Sequence, residues 1–164
     1  MNADQNHRAS RVINAPASEI FALLADPNRH GVIDGSDMLR GPDPDTKPIT
    51  GVGQTFKMRM HHPLLGDYQM INTVRSFEPE ARIGWAPALD PSCGDLLNSL
   101  GVKEAGGHTF TYELRQADDD ATVVTQTYDW SGVGDPDFAK LCPLVSEDQL
   151  AQTLDKIAQK VEQA

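Results

Sequence analysis

Five polar side chains fall, by strand alternation, among apolar neighbours: His62, Tyr68, Asn72, His108 and Tyr112. They share faces with Phe56, Met58, Met60, Met70, Trp85 and Phe110. A concave apolar wall carrying a few polar groups is how small-molecule pockets are built. The methionines suit irregular ligands, because an unbranched thioether adapts its shape. If the site is catalytic, a histidine serves as general base and a tyrosine stabilises an enolate, and His62, His108 and Tyr112 are the candidates. The alternative is a filled core in which a backbone carbonyl satisfies each His and Tyr. Five polar groups on one inner face are expensive to bury dry, which weighs for the pocket.

Other chemistry finds no motif. The chain has no G-x-S-x-G, no HExxH and no phosphate-binding GxxxxGK. Gly51-Val52-Gly53 lacks a third glycine and precedes a strand, so it is not a dinucleotide loop. His61 and His62 are adjacent on a strand and point to opposite faces, so they cannot ligate one metal together. The carboxylates between Asp34 and Gly53 do not match an EF-hand, and no Glu closes the cycle. No metal or other cofactor is expected. Cys93 and Cys142 lack CxxC spacing and read as two reduced thiols of a cytoplasmic protein.

The elements that position these residues follow from periodicity. Arg8 to Asn14 reads as a first strand, and Pro16 turns the chain into a short helix from Ser18 to Asp26 with an Ile20, Phe21, Leu23, Leu24 patch. Asp26-Pro27 stops it, and Asn28 to Ile33 makes a second brief helical turn. From Asp34 to Gly53 the chain is a loop, broken at Gly41-Pro42-Asp43-Pro44-Asp45, with a short strand near Met38 to Arg40. Strands then follow at Gln54 to His62, Asp67 to Phe77, Arg82 to Leu89, His108 to Arg115 and Thr122 to Trp130. Short turns such as Pro63 to Gly66 join them into an antiparallel meander of five or six strands. In the last strand, Val123-Thr125-Thr127 and Val124-Gln126-Tyr128 are both admissible inner faces.

One long helix closes the sequence. Leu150, Leu154, Ile157, Ala158 and Val161 form an apolar stripe. Ser146 and Gln149 have the spacing of a capping box. A single helix cannot cover the whole sheet, so a hollow is expected beneath it. The excursion from Asp90 to Gly106 carries Leu96, Leu97, Leu100 and Val102. It is either a lid over that hollow or a decorated hairpin packed on the rim.

Composition sets the outer bounds. The 164 residues fit one domain, 1–164. A net charge of −10 argues against nucleic acid and anionic membrane surfaces, which need clustered Lys and Arg. No run reaches the roughly 18 apolar residues of a bilayer span, so stable membrane insertion is not expected. Met1 to Asn6 is polar and lacks the apolar core of a signal peptide. Oligomeric state stays open between monomer and dimer.

The assembled chain resembles the START-like superfamily, also called polyketide cyclase/dehydrase or SRPBCC. Ser10-Arg11-Val12-Ile13-Asn14-Ala15-Pro16 through Asp26, followed by Asn28-Arg29-His30, is similar to the family's strand-then-helix opening. Gly66-Asp67-Tyr68 through Val74, Phe77-Glu78-Pro79 and Arg82-Ile83-Gly84-Trp85 resemble its central hairpins. Tyr128-Asp129-Trp130, Pro143-Leu144-Val145-Ser146 and the last helix resemble its close. The resemblance implies an α+β helix-grip fold: a curved antiparallel sheet wrapped around a long C-terminal helix, two short helices after the first strand, and a deep hydrophobic cavity. Members include lipid and sterol carriers, plant ligand binders, aromatase/cyclases and coenzyme-Q-binding proteins. The family has no universal catalytic residue, and the excursion is longer than its usual hairpin turn.

The leading expectation is binding or transport of a small hydrophobic or aromatic molecule, whether lipid, polyketide-like or isoprenoid. It would lie between the sheet and the Leu150 to Val161 face, with Tyr128 and Leu154 among its contacts. One alternative is a polyketide cyclase or dehydratase working through His62 or His108 with Tyr112. A second is a partner-binding regulatory module that uses its acidic surface or the long excursion. Changing both histidines to Gln leaves binding nearly intact in a carrier. In an acid–base enzyme it cuts turnover about 10²-fold.

Overall fold

The computed structural model describes residues 5–42, 46–63, 65–93 and 95–162. Asp43 to Asp45 of the expected proline-rich loop, Leu64 of the Pro63 to Gly66 turn, Gly94 of the excursion and the polar residues 1–4 lie outside the described residues. The elements run β1 (Asn6–Ile13), α1 (Ala17–Leu24), α2 (His30–Ile33), β2 (Leu39–Pro42), β3 (Thr55–His62), β4 (Gly66–Glu78), β5 (Arg82–Leu89), β6 (Thr109–Asp118), β7 (Ala121–Asp129), α3 (Pro136–Ala139) and α4 (Glu147–Glu162).

All the strands join one sheet in the order β1-β7-β6-β5-β4-β3-β2, with every neighbouring pair antiparallel. The sheet therefore has seven strands, more than the five or six expected. The short β2 accounts for part of the difference. Gly41, at φ +117°, lets a bulge form between Leu39 and Gly41, so this Gly/Pro-rich stretch still pairs with β3. The other edge is closed by β1, which runs beside β7 from Asn6↔Asp129 to Ile13↔Thr122.

The inner face of β7 is now decided. Thr122, Val124, Gln126 and Tyr128 are buried, and β6 sets them in register through Tyr112↔Gln126 and Phe110↔Tyr128. Asp129 points away and accepts hydrogen bonds from the Ser131 amide and hydroxyl.

Helix α4 lies across the concave face. Its start is the expected capping box: the Ser146 amide donates to Gln149 Oε1 at 2.8 Å, and the Gln149 amide donates to Ser146 Oγ at 3.1 Å. Leu154, Ile157, Ala158 and Val161 then join Ile13, Ile20, Leu24, Val74, Ile83 and Val124 in the main buried cluster. Outside it, Arg11 bridges to Asp155 at 2.7 Å, and Glu162 accepts from the Asn14 amide at 2.8 Å. The loop after α2 is pressed against the same helix. The Gly35 amide donates to Thr153 Oγ1 at 2.9 Å, and a Cβ on Gly35 would run into the Gln149 carbonyl. No helix among the described residues is long and apolar enough to cross a membrane.

Candidate ligand-binding cavity

The space between the sheet and the first turns of α4 is a cavity of about 550 Å³, inside the usual range for small-molecule sites. Each strand contributes through its inward period-2 face. From β3 come Phe56, Met58, Met60 and His62; from β4 come Tyr68, Met70 and Asn72. Trp85 on β5, His108, Phe110 and Tyr112 at and along β6, and Tyr128 on β7 complete the wall.

Leu154, expected among the contacts, does not line the cavity. It is 1% exposed and belongs to the packed core, while Leu150 and Thr153 face the cavity in its place. The reason is position along the helix. Residues from Leu154 onward meet β1 and α1 closely, and the sheet stands off only near the helix start.

Four further residues matter that periodicity did not single out. His30 follows a turn at Pro27–Arg29 whose start is capped by Asp26, which accepts from the Asn28 amide at 3.0 Å. Its Nε2 donates to the Leu24 carbonyl at 2.8 Å, and its ring stacks on Trp85 with centroids 5.0 Å apart. A four-residue helix carries too little pattern to reveal this. Asp34 also lines the cavity, and its carboxylate accepts from the Ser36, Met38 and Leu39 amides. Gln126 stood on one of the two candidate faces of the last strand, and only pairing with β6 brings it inside. Thr153 sits one residue before Leu154 and turns toward the cavity instead of the core.

Aromatic rings form two stacked pairs in the wall. Phe110 and Tyr128 lie nearly parallel at 4.8 Å and 12°, while His30 and Trp85 do so at 5.0 Å and 18°. The Tyr128 hydroxyl accepts from the Leu144 amide at 3.0 Å, which ties the wall to the segment before α4.

Burial tunes the titratable groups. Desolvation pulls the His108 imidazole down to about 4. It also lowers His30, against the opposing hydrogen bond to the Leu24 carbonyl. Burial raises the hydroxyls of Tyr112 and Tyr68, with nearby Asp34 adding to each shift. These tyrosines therefore stay protonated at neutral pH and act as neutral hydrogen-bonding groups. Asn72 donates to the Phe56 carbonyl at 3.4 Å, a long bond, so a backbone partner does exist for this one. His108 Nδ1 and Gln126 Oε1 are different: both are buried with no hydrogen-bond partner among the described residues.

The cavity mouth is apolar. Leu100, Leu141 and Leu144 line it and remain 47%, 36% and 41% exposed. The Asp90 to Gly106 excursion forms short 3-10 turns at Pro91–Cys93 and Asn98–Leu100, and the Ala88↔Gly106 bridge returns it to the sheet. Its Leu97 and Val102 pack with Phe138 of α3. Asp135 fastens the two segments. One oxygen caps α3 through the Asp137 and Phe138 amides, and the other accepts from the Lys103 and Glu104 amides at 2.7 and 2.8 Å. Those four amides hold its carboxyl below the usual range.

Known proteins can be set beside this geometry. No protein-family model matches the chain. The uncharacterized protein Rv0088 of Mycobacterium tuberculosis (strain H37Rv) is 30% identical over 130 residues, 77% of this chain and 49% of that protein. The chain thus spans about half the length of the curated relatives it matches. Among solved structures, truncated norcoclaurine synthase from Thalictrum flavum superposes with a TM-score of 0.62 at 16% identity, covering 100% of this chain and 99% of that one. Protein Ms6760 from Mycobacterium smegmatis gives 0.67 at 11% identity, covering 97% and 92%. DynU16, of the dynemicin biosynthetic locus, gives 0.59 at 17% identity, covering 98% of this chain and 48% of that one. The fold is the helix-grip fold. At these identities the likeness extends to the fold and no further.

Proposed function

We propose that this chain is a START-like (SRPBCC) domain that binds a small, largely apolar or aromatic molecule between the sheet and the start of α4. The observation that carries the reading is the cavity of about 550 Å³, walled by aromatic and methionine side chains and holding two buried polar atoms with no partner among the described residues. A protein interior otherwise packs to near-crystalline density, so space of this size and chemistry supports a container. In this reading the Asp90 to Gly106 excursion is a lid, held by Asp135 and presenting Leu100 to the ligand's path. Cytoplasmic residence belongs to the same reading.

Acid–base turnover through His108 is the weaker reading. A general base works best when its pKa lies near the operating pH, and His108 at about 4 is far below it. His108, just before β6, and Tyr112 stand four residues apart, about 13 Å of extended chain, which weighs against a dyad of these two.

The test is a thermal-shift screen against fatty acids, sterols, quinones, flavonoids and aromatic polyketides. A ligand at about 100 times its Kd adds about 2.7 kcal/mol, equivalent to roughly 5–10 °C in Tm for a domain of this size. Shifts within one chemical class are the expected result. A flat response across every class would overturn the container reading.

A further inference from the structure

We propose that the molecule held here is an uncharged, planar, hydroxylated aromatic compound that donates hydrogen bonds near both ends, and not an amphiphile with an acidic head group. The proposal rests on the cavity reading above and narrows it by charge, polarity and shape.

Charge comes first. Among the described residues the lining contains no Lys and no Arg, and its acidic member is Asp34. Two of its histidines, His30 and His108, are kept neutral at physiological pH by burial. A carboxylate or phosphate brought inside would lose its hydration and meet neither Lys nor Arg among the described lining residues. The acid head of a fatty acid or phospholipid is therefore disfavoured, although the apolar volume alone would admit the tail.

Polarity supplies the second constraint. Gln126 Oε1 can only accept a hydrogen bond, and His108 Nδ1 accepts in one tautomer of the neutral ring. Both are buried without a partner, and both residues line the cavity. Unmet buried polar atoms are costly in the free protein, and a ligand carrying O–H or N–H groups relieves that cost at Gln126 Oε1, and at His108 Nδ1 in the tautomer that leaves this nitrogen bare. The register spaces their backbone positions: Gln126 lies opposite Tyr112, and His108 precedes Tyr112 by four residues, about 13 Å of extended chain.

Shape follows from what lies between. The stacked Phe110 and Tyr128 rings occupy the register positions separating His108 from Gln126. The His30–Trp85 stack adds a second flat pair, and Trp85 is aligned with Phe110 across β5 and β6. Flat apolar surface with an acceptor toward each end matches two or three linked or fused rings bearing hydroxyls about a nanometre apart.

The experiment is calorimetric titration of the full chain at pH about 6 with a trihydroxyflavone bearing hydroxyls at both ends, with unsubstituted flavone and with hexadecanoate. Wild type, Gln126→Met and His108→Phe are compared. The hydroxylated compound should bind about ten- to a hundredfold more tightly than flavone, with hexadecanoate weakest. Each substitution should cut that preference about tenfold. Both variants should still melt cooperatively, although Gln126→Met also gives up the side-chain hydrogen bond between Gln126 and the Tyr112 hydroxyl. Flavone or hexadecanoate binding as tightly as the hydroxylated compound would overturn the proposal while leaving the container intact. Binding of none of the three, with hits elsewhere in the thermal screen, would also reject the proposal alone. No hit in either experiment rejects the cavity reading along with it.

Discussion

From Leu154 to Val161, α4 packs with Ile13, Leu24 and Val124 in one buried apolar cluster, whereas nearer its start Leu150 and Thr153 also wall the cavity. One amphipathic stripe thus serves a dry core at its C-terminal end and a cavity wall at its N-terminal end. The residues opposite differ in kind as well. Toward the core the helix meets mainly aliphatic side chains such as Ile13, Ile20, Leu24 and Val124, while the cavity adds polar groups, two of them unsatisfied among the described residues. Stability is concentrated at one end, and the capacity to recognise a molecule at the other. Unsatisfied groups persist only where the rest of the fold can bear their cost.

Leu154→Asp gives the harshest test of this division. It places a charge in a site 1% exposed, at a cost of several kcal/mol, comparable with total stability. Circular dichroism should show loss of cooperative melting at 25 °C. A variant that melts like wild type would erase the distinction between the two ends of the helix.

Acid should act on the cavity end. The imidazole of His108 titrates at about 4 in the folded chain against 6.5 unfolded, so the unfolded state takes up its proton first as pH falls. Stability is fully present above pH 6.5 and is lost progressively toward pH 4, by about 3 kcal/mol in total. His30, lowered in the same direction, adds to the loss. His108→Phe should flatten part of this dependence in urea titrations at stepped pH. An unchanged slope would mean that His108 is not held neutral by burial.

Smaller effects sharpen the boundary. Ser146→Ala removes one half of the capping box and should cost about 1 kcal/mol in denaturant melts, with the cavity otherwise unaltered. Asp135→Ala cuts the tie between the excursion and α3. Stopped-flow displacement of a bound fluorescent probe should show faster ligand release, with little change in melting temperature. A large loss of stability with unchanged release would make the excursion a packing element instead of a lid.

Much of this was legible from local pattern. Alternation along Phe56 to His62, along Tyr68 to Val74 and along His108 to Leu114 identifies the inward faces, because side-chain direction in a strand depends only on parity. The capping pair Ser146 and Gln149 marks the helix start, because its geometry spans only three residues. What escaped depended on distant partners. Leu150 and Leu154 are equivalent on a helical wheel, and only the spacing between helix and sheet separates wall from core. Gln126 could not be assigned until β6 fixed the parity of β7. His30 gains its role from Leu24 and Trp85, and Asp135 reaches back to Lys103 and Glu104 across about thirty residues.

By itself, then, the sequence determined the strands, the closing helix and most of the polar groups that face inward, because periodicity and caps are written within a few residues. Tertiary structure decided that the sheet has seven strands, where the helix touches it and where it stands away, and which polar atoms are left unpartnered. Those outcomes depend on distances between segments far apart in the chain, and no local pattern encodes them.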